Sequence, residues 1–262
     1  MTNSRMPVVF AGHGSPMNAI ESNKFSEAWS ALGKKLPKPK AILAISAHWY
    51  TKGTHFQSDE NPQLIYDFYG FPKELYEVKY PVKGDLTLTS RLEQLLKGKA
   101  TVDNSWGIDH GTWSVLRAMY PDADVPIVQL SIDQSLSMEA CFELGALLKP
   151  LKEEGILIVG SGNVVHSFKY IDFKMSTGHD WADAFDTYIY NSIIESQYEQ
   201  VIHYEKEGLN YHKAFQTLEH FAPLIYILGA AEAGEKVEVF NRSCEMGSMS
   251  MTSYVIGDYA QV

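Results

Sequence analysis

The sequence predicts a single α/β domain in which a largely parallel central sheet is flanked by helices. Short apolar runs rich in β-branched residues, such as 7–11 and 126–132, have the length and composition of buried strands. These runs alternate along the chain with segments whose apolar residues recur at helical spacing, such as 85–96. The chain has 262 residues, close to the upper limit for one hydrophobic core, so we expect residues 1–262 to form one domain.

The predicted elements follow one another in a regular order. Apolar runs bounded by turn residues predict strands over 7–11, 41–47, 126–132, 156–160, 236–240 and 249–257. Apolar residues at three- and four-residue spacing predict helices over 20–36, 85–96, 114–120, 138–152, 181–195 and 217–233. Residues 51–80 show no clean periodicity, and they include the aromatic stretch LIYDFYGFP at 64–72. A loop so long and so aromatic predicts a lid or wall of a binding site.

The charge and cysteine content exclude several classes of protein. The net charge is −10 and no basic cluster occurs, which disfavours a nucleic-acid partner and gives no long-range attraction for an acidic substrate. Two cysteines far apart in the sequence disfavour both a disulfide framework and a cysteine metal site. No apolar run has the length of a signal peptide or a membrane span, so we expect a cytoplasmic protein without a membrane partner.

Histidines stand near the ends of three predicted strands. His13 follows the strand 7–11, His48 follows 41–47, and His166 follows 156–160 after the sequence GSGNVV. We interpret the glycines of 160–163 as a flexible turn that lets His166 approach a ligand. Because open α/β sheets bind ligands outside the carboxyl ends of their strands, these histidines are expected to meet at one edge.

Two further histidines join this group of candidates. His110 lies in the glycine-broken loop WGIDHGTW, where Asp109 is a candidate for orienting a neighbouring histidine, and His220 lies at the start of a predicted helix. Imidazole is a common neutral ligand for zinc and iron, so the five histidines together predict a metal site. Glu219 precedes His220, and successive helical residues project about 100° apart, which disfavours both binding one ion. Two histidines with Glu219 would form a facial triad typical of Fe(II) oxygenases, whereas three histidines fit zinc or iron equally.

Aromatic residues supply candidates for a substrate pocket. Trp49 adjoins His48, and Tyr69 lies in the 64–72 segment. With His110, these residues are expected to bind an aromatic substrate above a metal ion. Core packing explains such aromatic residues equally well.

Six motifs occur in a fixed order along the chain: GHGSPM with His13, SAHW with His48, WGIDHGTW with His110, GSGNVVHS with His166, EHFAPL with His220, and EMGSMSM near the end. In this order and spacing the chain resembles the class III extradiol ring-cleavage dioxygenases. Within them it is similar to the 4,5-DOPA dioxygenase branch, which is related to the β-subunit of protocatechuate 4,5-dioxygenase. The resemblance extends over about residues 6–257.

The resemblance implies one non-heme divalent metal ion held by His13, His48 and His220, with His166 as a candidate fourth ligand. It implies Fe(II) for turnover, although a site of histidines alone also suits Zn(II). His166 then resembles the catalytic histidine that handles protons, and His110 resembles a second catalytic histidine that contacts the substrate. The implied reaction cleaves a catechol ring, of DOPA or a related compound, with O2 to a muconic semialdehyde.

Two other functions stay open on the sequence. One is a zinc-dependent hydrolase on the same site, and the other is a non-catalytic metal-binding protein with the same fold. Against the second, His110 and His166 are surplus to a closed structural site, which needs four ligands and no additional base. The expected partners are a small aromatic catechol and O2, and the chain is expected to be a monomer or a homodimer.

Overall fold

The computed structural model describes residues 5–208 and 211–259. Its strands are β1 (Val8–Gly12), β2 (Ala41–Thr51), β3 (Thr54–Phe56), β4 (Ala100–Val102), β5 (Ile127–Asp133), β6 (Ile156–Gly162), β7 (Val237–Phe240), β8 (Cys244–Glu245), β9 (Met249–Ser250) and β10 (Ser253–Ile256). Its helices are α1 (Lys24–Lys35), α2 (Lys73–Tyr76), α3 (Leu86–Leu95), α4 (His110–Met119), α5 (Met138–Leu147), α6 (Pro150–Glu153), α7 (Asp180–Ile194), α8 (Tyr198–Ile202), α9 (Tyr211–Ala214) and α10 (Ala222–Ala230). Short 3-10 segments occupy Pro16–Ala19, Phe168–Tyr170, Tyr204–Glu207 and Leu218–His220.

Eight strands form one sheet in the order β4-β3-β5-β2-β6-β1-β10-β7. The four central strands, β5, β2, β6 and β1, are mutually parallel, as are β3 and β4. The pairs β3–β5, β1–β10 and β10–β7 are antiparallel. The predicted fold class, an α/β domain with a largely parallel sheet flanked by helices, is therefore confirmed.

Hydrophobic cores lie on both faces of the sheet. Along β1, Val8 and Phe10 pack into the core beneath α5 and α10, while Val9 and Ala11 pack into the core beneath α1 and α4. Because both faces are covered, the central strands place apolar residues on both sides of the sheet. None of the helices in the described ranges is long and apolar enough to cross a membrane.

The extent of β6 shows that the predicted turn at 160–163 is wrong. The stretch 160–163 does not begin with a flexible turn, because β6 continues through Gly162 as the parallel neighbour of β1 and remains buried. A Cβ atom at Gly160 would lie 2.6 Å from Cγ1 of Ile227, so this glycine permits close packing of α10.

Several predicted boundaries also differ from the structure. The helix predicted over 114–120 already begins at His110, because the side chain of Asp109 accepts a hydrogen bond from the N–H of Thr112 and caps it. The helix predicted over 138–152 is divided into α5 and α6, and the one over 217–233 becomes a 3-10 segment followed by α10. Strands β3 and β4 were not predicted, because three residues are too few to show a periodic pattern.

Candidate metal centre

The fold brings five of the nine histidines together. His13 follows β1, His48 lies near the end of β2, and β6, which runs between these strands, leads to His166. His110 begins α4, and His220 ends the 3-10 segment before α10. Ring centroids are 5.0 Å apart for His13 and His48, 4.1 Å for His48 and His110, and 5.3 Å for His13 and His220.

Hydrogen bonds fix the tautomer of His13. Its Nδ1 lies 2.9 Å from Oγ of Ser161, and that hydroxyl donates its hydrogen to the carbonyl of Gly111. Because a hydroxyl has only one hydrogen to donate, Ser161 must accept from Nδ1–H of His13. The Nε2 lone pair of His13 is therefore left free to bind a cation.

Asp67, from the aromatic segment 64–72, orients two more rings. Its Oδ2 accepts from Nδ1 of His48 at 3.0 Å, and its Oδ1 accepts from Nδ1 of His110 at 2.8 Å. Oδ1 also accepts from the backbone N–H of His110 at 3.1 Å. Although burial opposes the charged carboxylate, the hydrogen bonds from His110 and His48 hold the pKa of Asp67 well below its usual range.

The free nitrogens of these rings converge. Nε2 of His13 lies 3.2 Å from Nε2 of His48, and ligand nitrogens of His13, His48 and His110 all lie within 4.8 Å of one another. Burial and the neighbouring histidines lower the pKa of His13, which keeps this ring neutral at ordinary pH. Facing imidazole nitrogens are a donor set that suits zinc or iron, so the cluster fits a divalent metal ion.

His220 adds a further unsatisfied nitrogen. Its Nε2 is buried and has no hydrogen-bond partner among the described residues, and its ring centroid is 5.1 Å from that of His48. Its Nδ1 lies 3.3 Å from Oε1 of Glu219. Glu219 is not among the described residues that line the cavity, although its carboxylate contacts Nδ1 of His220.

Strand β6 holds the backbone of His220 in place. The carbonyl oxygen of His220 accepts from the N–H of Asn163 at 2.8 Å. A Cβ atom at Gly162 would lie only 2.2 Å from that oxygen, so glycine is required for this close approach.

The ring of His166 stacks on that of His220. Their centroids are 3.5 Å apart and their planes differ by 3°. Burial, followed by the charge of His48, lowers the pKa of His166 to about 4. At neutral pH this ring is uncharged, so one of its nitrogens carries a free lone pair.

All five histidines line one cavity of about 600 Å³. Tyr69 and Phe68 from the 64–72 segment line it together with His110, as expected for a wall. Trp49 is buried on β2, and the described residues that line the cavity do not include it. The structure therefore brings the predicted site residues together except for Trp49.

Sequence reasoning missed two residues that orient the rings, Asp67 and Ser161. Asp109, the expected orienting carboxylate, instead caps α4 and accepts from Oγ of Ser46 at 2.6 Å. A signal for Asp67 existed, because it is the carboxylate inside the aromatic segment expected to form the wall. Ser161 stands between two glycines, where a turn was expected.

Comparisons with known proteins agree with this geometry. A family model described as "Catalytic LigB subunit of aromatic ring-opening dioxygenase" matches residues 4–257. The chain is 43% identical over 264 residues to "4,5-DOPA dioxygenase extradiol" of Escherichia coli (strain K12), covering 98% of this chain and 97% of that protein. It is 40% identical over 255 residues to the protein of the same name from Beta vulgaris, covering 94% of each chain.

A solved structure shares the fold. The crystal structure of an uncharacterized protein from Escherichia coli K12 superposes with a TM-score of 0.84 at 40% identity, covering 97% of this chain and 100% of that one. The family match spans nearly the whole chain and includes every histidine of the cluster. The chain therefore belongs to the LigB family, the class III extradiol dioxygenases.

Proposed function

We propose that this protein is a metal-dependent extradiol dioxygenase that opens the ring of a catechol, DOPA or a related compound, with O2 to give a muconic semialdehyde. The observation that carries the proposal is the convergence of imidazole nitrogens on one cavity, with the opposite nitrogens of His13, His48 and His110 tied to Ser161 and Asp67. The printed names of the relatives favour DOPA as the substrate to test first.

In this proposal His13, His48 and His220 hold one divalent ion, Fe(II) for turnover, and Zn(II) also suits the donors. The buried, unpartnered Nε2 of His220 supports its place in the set. The close nitrogens of His13, His48 and His110 favour a rival set in which His110 replaces His220. When bound, Fe(II) would supply Lewis acidity and the one-electron chemistry that O2 requires.

The chain's own residues would then bind the substrate and move its protons. His166 is neutral at ordinary pH and would accept a proton from a catechol hydroxyl. Because its ring stacks on that of His220, it also remains a candidate fourth ligand of the metal. His110, fixed through Nδ1 by Asp67, would present Nε2 to the substrate. Tyr69 would contact the aromatic ring of the substrate from the wall of the cavity. Trp49 does not line the cavity, and its contact with the substrate stays a prediction.

The function is tested with protein loaded with Fe(II) in the absence of oxygen and then mixed with DOPA or caffeate in oxygenated buffer. We expect a yellow ring-opened product. The matched control is the same protein loaded with Zn(II), which should bind the catechol and leave it intact because zinc has no redox chemistry. If the iron-loaded protein opens no catechol, the hydrolase alternative becomes the better interpretation.

The ligand set is tested by the metal content of purified variants. His220→Ala should lose the metal and His110→Ala should keep most of it, while both retain the far-ultraviolet circular dichroism of the parent. The reverse result would assign the third position to His110. Loss of metal in Glu219→Ala with full occupancy in His220→Ala would assign it to Glu219.

A further inference from the structure

The cavity that holds the histidines has few polar side chains outside the histidine cluster. Asp67 lines it, but both carboxylate oxygens of Asp67 already accept from His48 and His110. Apart from these residues and the other histidines, the described lining includes two side chains with hydrogen-bonding groups, Ser15 and Tyr69. The remaining described lining residues are glycine, proline or apolar. Any direct partner of a polar ring substituent therefore has to come from these few groups or from the backbone.

Ser15 lies beside the histidine cluster and has a free donor. It is two positions after His13, so the Cα atoms of these residues are at most about 7 Å apart. Its Oγ accepts a hydrogen bond from the backbone N–H of Met17 at 3.3 Å. Its hydroxyl hydrogen has no acceptor among the residues that the structure describes. Because a hydroxyl carries one hydrogen besides its lone pairs, Ser15 can still donate to a ligand in the cavity.

The backbone next to Ser15 adds unpaired donors. The N–H of His13 donates to the carbonyl of Gly162 at 3.1 Å, whereas the N–H groups of Gly14 and Ser15 have no acceptor within the described parts of the chain. Gly14 is buried, and both residues line the cavity. An unpaired backbone N–H on a buried residue is rare in native proteins. The missing acceptors are therefore expected from a ligand in the cavity.

These three donors suit a negatively charged acceptor. Hydrogen bonds to an ionised acceptor are shorter than those between neutral groups and roughly twice as strong. An ammonium group has only hydrogens to donate, so it cannot pair with the two N–H groups, and an alkyl group pairs with none of the three donors. The free donors of Gly14 and Ser15 therefore distinguish a carboxylate from an ammonium or alkyl substituent.

We propose that Ser15 is a specificity-determining residue whose hydroxyl donates a hydrogen bond to a carboxylate on the ring substituent of the catechol. The N–H groups of Gly14 and Ser15 support the same carboxylate. This inference rests on the proposed cleavage of catechols and narrows their class to those with a carboxylate on the side chain, as in DOPA. A cavity of about 600 Å³ has room for an aromatic ring with such a side chain.

Three ligands that differ only at the end of the side chain test the proposal. 3-(3,4-Dihydroxyphenyl)propanoate ends in a carboxylate, 4-propylcatechol in a methyl group and 4-(2-aminoethyl)catechol in an ammonium group. Their dissociation constants are measured by calorimetry on Zn(II)-loaded protein. The parent should bind the propanoate about tenfold more tightly than 4-propylcatechol, and Ser15→Ala should weaken binding of the propanoate by about tenfold relative to both other ligands. The reverse order in the parent, or an equal effect of Ser15→Ala on all three ligands, would overturn the proposal.

Ser15→Thr is the matched control, because threonine keeps a hydroxyl that can both accept from Met17 and donate to the ligand. Its ratio of dissociation constants for the propanoate and 4-propylcatechol should stay within about threefold of the parental ratio. Ser15→Ala also removes the acceptor of the Met17 N–H, and a general disturbance of this turn would weaken all three ligands alike. Loss of the preference for the carboxylate in both variants would contradict a role of the hydroxyl.

The outcomes separate this inference from the proposed function, because binding to the zinc-loaded protein does not require ring opening. The selective effect of Ser15→Ala on the propanoate, without ring opening by the Fe(II)-loaded protein, supports the inference and refutes the proposed reaction. Ring opening by the Fe(II)-loaded parent, with the same relative kcat/KM values for the three ligands in Ser15→Ala, refutes the inference alone. If none of the three ligands binds, both fail.

Discussion

Gly162 offers the most direct test of how the site is held. A methyl group at this position would lie 2.2 Å from the carbonyl oxygen of His220, which also accepts from the N–H of Asn163 at 2.8 Å. Carbon–oxygen contacts are normally about 3.3 Å or longer, so the His220 segment would have to move by about 1 Å in Gly162→Ala. That displacement is larger than the tolerance of about 0.5 Å within which a binding constellation works.

The size of the effect follows from these contacts. Overpacking costs about 1–3 kcal/mol, and the strained hydrogen bond to Asn163 adds about 1 kcal/mol. The free energy of unfolding should therefore fall by about 2–4 kcal/mol, which lowers Tm by about 2–4 °C for each kcal/mol. Because His220 shifts, metal affinity should fall by about 10–100-fold.

The assay compares Gly162→Ala with Gly160→Ala on the same strand. A methyl group at Gly160 would press on Cγ1 of Ile227 at 2.6 Å and on the carbonyl of Pro223 at 2.9 Å, and its three nearest atoms include none of His220. Thermal unfolding should show that both variants are destabilised, whereas competition with a chelator should show weaker metal binding only in Gly162→Ala. Parental metal affinity in Gly162→Ala would refute the reasoning.

Three further predictions concern other residues. Ser161→Ala removes the acceptor for Nδ1–H of His13, so chelator competition should show metal affinity lower by about 10–100-fold with little change in fold; unchanged affinity would contradict the tautomer assignment. His166→Gln should keep most of the metal and still bind a catechol but turn over about 10²–10⁴-fold more slowly, and turnover at the parental rate would exclude His166 as the base. Burial raises the pKa of Asp186, so stability is greatest below the unfolded pKa of about 4 and is lost as pH rises through the folded pKa. Asp186→Asn should therefore lose less stability than the parent as the pH rises above about 4 in urea unfolding, and an identical pH slope would contradict this.

The fold and much of the histidine cluster could be predicted from sequence because their signals lie in short stretches of neighbouring residues. The central strands are covered on both faces, so they appear in the sequence as short segments rich in apolar residues, and residues at their carboxyl ends meet at one edge. His13 and His48 were placed together on this basis alone. Their convergence depends on the order of parallel strands and not on any specific side-chain contact.

Asp67 and Ser161 could not be predicted because their roles depend on distant partners. Asp67 contacts His110, 43 positions further along the chain, and Ser161 contacts His13, 148 positions away. The two glycines that flank Ser161 were also ambiguous as a structural signal, because glycine permits either a turn or the close approach of another backbone. Only the packed structure shows that Gly162 serves the second purpose.

Asp67 links three parts of the molecule through one carboxylate. It orients a ring on β2, orients a second ring at the start of α4, and accepts the first backbone N–H of that helix, all from within the segment that walls the cavity. Loop positions usually tolerate substitution during evolution. Position 67 carries three requirements at once, so a replacement there disturbs both rings and the start of α4 together. We therefore expect this loop residue to restrict the routes by which such an enzyme acquires new substrates, and neighbouring positions such as Tyr69 to be the ones that vary.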